Sequence, residues 1–178
     1  MLVRAAVPED AIAIAAVDVA SWREAYRDLM PAAYLDGLDA AQKAVGWRRG
    51  LERDESRGKS TLVVEAAGAV AGFSVVGPDE EAGFGLLWLM YVDPAYWGRG
   101  AAQPLMDASL EALRMLGHTK ARLWVLEANA RARGFYERGG WVTDGATGVA
   151  SHGGADLSTL RYAIGLVMPV RTPQTPNT

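Results

Sequence analysis

A predicted strand, a glycine-containing turn and a predicted helix follow one another in the middle of the chain, and this segment constrains the fold most strongly. The apolar run Leu86–Val92 predicts a buried strand that Asp93-Pro94 ends. The next turn contains Gly98 and Gly100, and an amphipathic pattern over Gly100–Leu116 predicts a helix. Glycine amides can approach an anion closely, and the helix dipole favours negative charge at its start. The segment therefore predicts a binding site for a phosphate-bearing ligand.

The composition limits the class of protein. The chain has 178 residues, of which 50% are hydrophobic and 22% are charged, and its net charge is −3. We expect one domain over residues 1–168 and a flexible tail over residues 169–178. The acidic balance argues against a nucleic-acid partner, and no apolar run reaches the roughly 18 residues that a membrane span needs. With no signal peptide apparent, we expect a cytoplasmic protein.

Two chemistries are excluded by residue content. Cysteine is absent, so disulfides, thiolate metal sites and a cysteine nucleophile cannot occur. No set of residues has the spacing of metal ligands, and no serine lies in a recognisable nucleophile motif. Neither a bound metal nor a covalent intermediate on the protein is therefore expected.

The remaining patterns predict a mixed α/β protein. Their order is a strand, helices, three strands, a helix, a strand, a helix and two strands, which indicates a mixed sheet with helices on its faces. Helices are expected over Pro8–Tyr26 and Ala40–Arg53, with a short helical piece between them. Much of Thr143–Ser158 is expected to be loop, because Gly, Ala, Ser and Thr dominate it, and Leu160–Met168 is expected to be the last strand.

A second motif lies about thirty residues after the glycine turn. It starts with Asn129, continues with the pair Phe135-Tyr136 and closes with Gly140-Trp141. Together with the turn, this motif resembles the GNAT superfamily of acyl-CoA-dependent N-acetyltransferases, and the resemblance covers about residues 2–165. The cofactor signature of that family is Gln or Arg, two residues, Gly, one residue, then Gly or Ala. The chain departs from it only at the first position, which is Trp97.

The resemblance implies a mostly antiparallel sheet of about seven strands with helices on both faces, and acetyl-CoA as the cofactor. It implies that backbone amides of the glycine turn hold the diphosphate of coenzyme A, with a charge-assisted contact from Arg99. It also implies that the pantetheine arm pairs with the strand that ends at Val92, where the amide of Met90 or Tyr91 stabilises the oxyanion. The implied cofactor contacts are Met90, Tyr91, Val92, Trp97, Gly98, Arg99, Gly100, Ala101, Ala102, Gln103, Asn129 and Tyr136.

The resemblance implies a general acid for the reaction but leaves the general base unassigned. Tyr136 is expected to be the general acid that protonates the leaving sulfur. Asn129 is expected to contact the pantetheine or to cap a helix, or both. The general base stays open, because the strand Leu86–Val92 carries no carboxylate; water is one candidate. The candidate side chains are Glu24, Glu65, Glu80, Glu81 and His152.

The acceptor is expected to be a primary amine of a small molecule, attacked directly without an acyl-enzyme. Trp124 stands where relatives that acetylate protein N-termini carry a carboxylate, which favours a small molecule over a protein N-terminus or lysine. A non-catalytic acyl-CoA-binding module is the rival interpretation. Core packing is the preferred interpretation for Trp22 and Trp47. A homodimer is possible in such a family, and the acyl group need not be only acetyl.

Overall fold

The computed structural model describes residues 1–166 as one seven-stranded sheet with five α-helices. The strands are β1 (Leu2–Ala5), β2 (Ser60–Ala66), β3 (Ala69–Pro78), β4 (Phe84–Val92), β5 (Lys120–Leu126), β6 (Val142–His152) and β7 (Ala155–Gly165). The helices are α1 (Ala11–Ala25), α2 (Ala32–Asp36), α3 (Ala40–Leu51), α4 (Ala102–Met115) and α5 (Ala130–Arg138). This order confirms the predicted sequence of elements. The expected tail lies outside the described residues.

The sheet has the order β1-β2-β3-β4-β5-β7-β6. All neighbouring strands are antiparallel except β4 and β5, which are parallel. A crossover through α4 makes that parallel pair, because two parallel neighbours cannot be joined by a tight turn. The predicted mixed, mostly antiparallel sheet of seven strands is confirmed.

Helices cover both faces of the sheet. On one face, Ile14 and Val17 of α1 pack with Val63 and Phe73. On the other face, α4 and α5 pack against β4, β5 and β7 through a cluster that includes Leu113. Val63 and Val64, which are adjacent on β2, belong to different hydrophobic clusters because successive side chains of a strand point to opposite faces. Each face of the sheet therefore has its own buried hydrophobic cluster beneath the helices that cover it.

The strands β4 and β5 pair over only four residues each. Their register runs from Phe84 opposite Lys120 to Leu87 opposite Leu123 and then stops. Next to the last of these pairs, β4 has a bulge on its β3 side. Val76 of β3 pairs with Leu87 and Val75 pairs with Leu89, so Trp88 is the extra residue of β4. A bulge bends its strand and increases the local twist. Beyond this point the two strands have no ladder between them, and a cleft opens in the sheet.

The C-terminal part of the chain corrects the sequence analysis. The expectation of a loop over much of Thr143–Ser158 is wrong, because β6 and β7 form a long hairpin with Gly153-Gly154 at its turn. Small residues have a weak intrinsic preference for strands, but pairing with β7 stabilises the strand conformation of β6 in spite of it. The register shifts between Thr143 and Thr147, where part of the expected irregularity does occur. The end of the expected strand Leu160–Met168 lies outside the described residues.

Helix α4 starts at Ala102, two residues after the expected start at Gly100. Pro104 is then the third helical residue. The first four amides of a helix have no intrahelical partner, so a proline at this position removes no helical hydrogen bond. Within residues 1–166, no helix is both long and apolar enough to cross a membrane.

Candidate active site

A cleft of about 770 Å³ opens where β4 and β5 separate. Its walls come from α1, β4, the turn before α4, the start of α4, β5, α5 and the β6–β7 hairpin. Both sequence motifs therefore border one cavity, although they lie about thirty residues apart. Most of the residues that the sequence predicts to contact the cofactor lie in these walls.

The turn that leads into α4 presents main-chain groups to the cleft. Gly98 and Gly100 have φ values of +72° and +85°, which residues with a Cβ adopt only under strain. No atom lies within 4 Å of where a Cβ of either glycine would stand, so conformation and not crowding demands glycine. No side chain caps α4, so its first amides are free to bind an anion.

Most of the predicted cofactor contacts on this turn line the cleft. They are Trp97, Gly98, Gly100, Ala101, Ala102 and Gln103. Arg99 does not line it, and its side chain is exposed. The two positive-φ glycines on either side of Arg99 set the direction of the chain there. A contact from Arg99 to a ligand in the cleft is therefore not supported by this arrangement.

Trp97, the departure from the family signature, fastens the turn to the sheet. Its Nε1 donates to the carbonyl oxygen of Val92 at 2.7 Å. The guanidinium of Arg131, on α5, lies 4.3 Å from the centroid of the indole ring, which is cation–π geometry. The indole therefore joins the end of β4 to α5 across the mouth of the cleft.

Two arginines on α5 line the cleft and were missed by the sequence analysis. They are Arg131 and Arg138. The available signal was the density of basic residues in α5, where Arg131, Arg133 and Arg138 occur within eight positions. Arg131 lies over the ring of Trp97 and so brings positive charge to the turn before α4, which makes this half of the cleft suited to a phosphate-bearing ligand.

The free edge of β4 offers Met90, Tyr91 and Val92, all of which line the cleft. The amide of Asp93 donates to the carbonyl of Ala71, on the far side of β4 from β5. Main-chain groups alternate in direction along a strand. The amide of Tyr91 accordingly faces β3, and the amide of Met90 faces the gap between β4 and β5. This alternation favours Met90 over Tyr91 as the amide directed at the cleft.

Tyr136 and Asn129 lie together on the α5 side of the cleft. Burial, with a smaller contribution from nearby Tyr26, raises the pKa of the Tyr136 phenol well above its usual range. Burial likewise raises the pKa of Tyr26 and Tyr91. The Asn129 side-chain oxygen accepts from the amide of Ala132 at 3.1 Å and so caps α5. Burial disfavours the ionised form of Tyr136, so its phenol stays protonated at neutral pH.

The structure separates the candidate bases. Glu65 pairs with Arg4 at 2.6 Å, Glu81 pairs with Arg122 at 2.6 Å, and neither lines the cleft. Glu80 is an exposed turn residue that also lies outside the cleft. Glu24 and His152 do line it. Two of the five candidate side chains are thus placed where a proton could be taken from a bound amine.

Aromatic side chains from α1, β4 and β5 also line the cleft. Trp22 packs against the buried cluster of Tyr26, Met30 and Leu35, as core packing predicts, and it also lines the cleft. Its ring stacks edge-on against His152 with centroids 5.0 Å apart. Trp47 packs in the core against Phe73 and donates to Asp18, as core packing predicts. Trp88 and Trp124 also line the cleft.

Metal binding has no support in the described part of the chain. Across residues 1–166, no three His, Asp or Glu side chains stand close enough together to hold an ion. The polar side chains that line the cleft are arginines, tyrosines, the amides of Gln103 and Asn129, two hydroxyls, His152 and one carboxylate, Glu24. The arginines and phenols can donate hydrogen bonds to an anion.

Comparison with known proteins gives a consistent result. The model described as the acetyltransferase (GNAT) family matches residues 19–141, which include the glycine turn and α5. The uncharacterized N-acetyltransferase YuaI of Bacillus subtilis is 32% identical over 132 residues, or 71% of this chain and 72% of that protein.

Two solved structures share the fold at low sequence identity. The PaiA N-acetyltransferase of Thermoplasma acidophilum, in complex with coenzyme A, superposes with a TM-score of 0.72 at 19% identity, covering 89% of this chain and 96% of that chain. YncA of Salmonella typhimurium, with its cofactor acetyl-CoA, gives a TM-score of 0.71 at 19% identity, covering 99% and 98%. These likenesses extend the match beyond residues 19–141 to the whole sheet.

Proposed function

Because the chain belongs to the GNAT acetyltransferase family, we propose that it moves an acetyl group directly from acetyl-CoA to a primary amine of a small molecule, with Tyr136 as the general acid. Acetyltransferase activity and the acetyl-CoA donor follow from the family. The acceptor class and the individual residue roles are our proposal. The observation that carries it is the single cleft that joins the glycine turn, the free edge of β4 and Tyr136.

The donor half of the cleft has the groups that coenzyme A requires. Gly98 and Gly100 expose main-chain amides at the uncapped start of α4, and Arg131 adds positive charge beside them. The diphosphate would bind there. The edge of β4 from Met90 to Val92 would pair with the amide-containing arm as an added strand does. Acetyl-CoA supplies an acyl group that is activated as a thioester.

Met90 supplies the proposed oxyanion contact. Its amide faces the gap between β4 and β5, where the carbonyl of the acyl group would lie. A fixed amide dipole stabilises negative charge as it develops on that oxygen, without reorganisation. Tyr91 remains on the wall of the cleft through its side chain.

Tyr136 holds a proton on its phenol oxygen at neutral pH, since an ordinary tyrosine has a pKa of about 10 and burial raises the pKa of Tyr136 above that value. It can give that proton to the departing sulfur. Asn129 fixes the start of α5 through its capping hydrogen bond and so positions Tyr136 two turns further along. The amine loses its own proton to water, to Glu24 or to His152, the candidates that border the acceptor side.

A small acceptor is supported by how the cleft ends. The tip of the β6–β7 hairpin packs on α1 and α2, with His152 against Trp22 and Gly153 against Tyr34. Trp22 and His152 line the cleft, so the seated hairpin tip would limit the room for an extended polypeptide beside them. Trp124 provides an apolar surface where a carboxylate would serve a peptide amino group.

The experiment is thiol release from acetyl-CoA in the presence of a panel of primary amines and of short peptides, with mass spectrometry of the products. We expect amine-dependent release of free coenzyme A and an acetylated small amine. Coenzyme A binding measured by calorimetry serves as the control. Binding without thiol release across the panel would favour the non-catalytic module, and acetylation of the peptides alone would overturn the small-molecule acceptor.

A further inference from the structure

The two strands that frame the cleft each carry a tryptophan at the point where they separate. The last paired residues are Leu87 and Leu123, and the next residues are Trp88 and Trp124. Leu87 and Leu123 are buried in the cluster beneath α4 and α5. Both tryptophans are 44% exposed and line the cleft, although large apolar side chains usually avoid such exposure.

Both tryptophans are on the sheet face opposite that buried cluster. Trp124 follows Leu123, so alternation along β5 directs it to the other face. Trp88 is the bulge residue of β4, and it also borders a recess formed by α3 together with Leu89. The two indoles therefore stand on the acceptor side of the cleft, at the end where the acyl group would arrive.

The ring of Trp124 is held in place by its neighbours. A Cβ on Gly148 of β6 would lie 3.2 Å from Cζ3 of Trp124 and 2.9 Å from Oγ1 of Thr159. The glycine thus leaves the space that the indole fills. The guanidinium of Arg161 lies 5.6 Å from the ring centroid. A side chain supported in this way loses little conformational freedom when a ligand covers its remaining surface.

The opposite wall is also aromatic. Trp22 stacks against Tyr26 with ring centroids 4.8 Å apart, and against His152 at 5.0 Å. The hairpin tip that carries His152 is seated on α2, since a Cβ on Gly153 would come within 2.4 Å of the Tyr34 ring. The acceptor side is thus bounded by indole rings on two walls.

The charges near these rings do not suit a polycation. The ammonium of Lys59 lies 3.9 Å from the centroid of the Trp88 ring, and Arg161 lies beside Trp124. Among the described residues, Glu24 is the one carboxylate that lines the cleft, and it is paired with Arg27. An acceptor with several ammonium groups would therefore meet more repulsion than attraction in this half.

We propose that the acceptor is a primary amine on an aromatic skeleton, seated between Trp22 and the Trp88–Trp124 pair. This inference rests on the proposed function and specifies its acceptor. Covering the half-exposed indoles removes apolar surface from water, and an aromatic ring can stack on them, whereas a short alkyl chain buries less area. Trp124 acts as the residue that sets specificity.

The experiment compares three probe amines with acetyl-CoA: 2-phenylethylamine, n-butylamine and 1,4-diaminobutane. We expect kcat/KM for 2-phenylethylamine to exceed that for each other amine by about tenfold, the scale of a good apolar and aromatic contact. Calorimetry with coenzyme A already bound gives the amine affinities independently of turnover, and we expect the same order. A linear amine or the diamine performing equally well would overturn the inference.

Substitutions of Trp124 test whether this residue causes the preference for the aromatic amine. Trp124→Ala is expected to lower the selectivity ratio about tenfold and leave the Kd for coenzyme A within about twofold, and Trp124→Phe is expected to restore most of the ratio. Met115→Ala, at an 81% exposed position on α4, is the matched control that changes neither. An unchanged ratio in a folded Trp124→Ala protein would refute the assignment.

Different results would overturn the aromatic acceptor and the proposed function. Thiol release with all three amines at equal efficiency overturns the aromatic acceptor and leaves the proposed function standing. Coenzyme A binding with no thiol release from any primary amine overturns the proposed function, and the acceptor assignment with it.

Discussion

The donor half and the acceptor half of the cleft are built in different ways. The proposed donor half is lined by the main chain of Gly98 and of residues 100–103, together with the edge of β4. The acceptor half uses side chains from α1, β4, β5 and the β6–β7 hairpin. The first depends on local backbone conformation, and the second depends on which distant side chains the packed sheet brings together. The following changes should affect one half and spare the other.

Tyr136→Phe should have the largest effect, because Tyr136 is the proposed proton donor for the leaving sulfur. Loss of the proton donor should lower kcat by about 10²–10⁴-fold, the usual contribution of general acid catalysis. The Kd for coenzyme A should stay within about twofold, since the ring is retained. Steady-state kinetics and calorimetry test both. An unchanged kcat would leave Tyr136 with a packing role only.

The same residue makes a prediction about pH. Burial raises the pKa of Tyr136 above the ordinary tyrosine value of about 10, so the phenol stays protonated across the neutral and mildly alkaline range. The wild-type rate should therefore not fall from ionisation of this group below about pH 10. A loss of kcat with an apparent pKa near 8 that disappears in Tyr136→Phe would contradict this.

Gly100→Ala should weaken the donor half alone. The φ of +85° at this position strains any residue with a Cβ, at a cost of about 1–3 kcal/mol that relaxation of the turn would relieve. We expect the Kd for coenzyme A to rise roughly tenfold, as about 1.4 kcal/mol requires. The KM for the amine should not change. Gly46→Ala is the control, because Gly46 lies within α3 with no atom within 4 Å of the new Cβ, and coenzyme A binding should remain at the wild-type level.

Gly153→Ala should weaken the acceptor half alone. Its new Cβ would lie 2.4 Å from the Tyr34 ring, so the hairpin tip must move away from α2. We expect the KM for the amine to rise about fivefold, from about 1 kcal/mol of overpacking, with the Kd for coenzyme A unchanged. Gly154→Ala is the matched control, since it also has a positive φ but no atom near its Cβ. Equal KM values for the two variants would show that the Tyr34 contact does not shape the acceptor side.

Trp97→Phe should have the smallest effect. It removes the hydrogen bond to the Val92 carbonyl and keeps an aromatic ring beneath Arg131. A single hydrogen bond contributes about 0.5–1.5 kcal/mol, so the Kd for coenzyme A should rise about threefold. Calorimetry measures this change. A change in the KM for the amine with no change in coenzyme A affinity would contradict the assignment of Trp97 to the donor half.

The same division explains how much the sequence predicted. The turn around Gly98 and Gly100 and the cap at Asn129 are local, and both were predicted, as was the order of helices and strands along the chain. The length of β6 was not, because its pairing with β7 decides it and its own small residues do not. The position of Trp88 at the separation of the strands was not predicted either, because a bulge and the end of a ladder are properties of strand pairing.

The most direct test of the account is a crystal structure of the protein with coenzyme A. The account predicts the diphosphate against the main-chain amides of residues 98–103, the pantetheine arm along Met90 and Val92, and the sulfur beside the hydroxyl of Tyr136. Coenzyme A bound outside the gap between β4 and β5, or with its sulfur directed away from Tyr136, would contradict it.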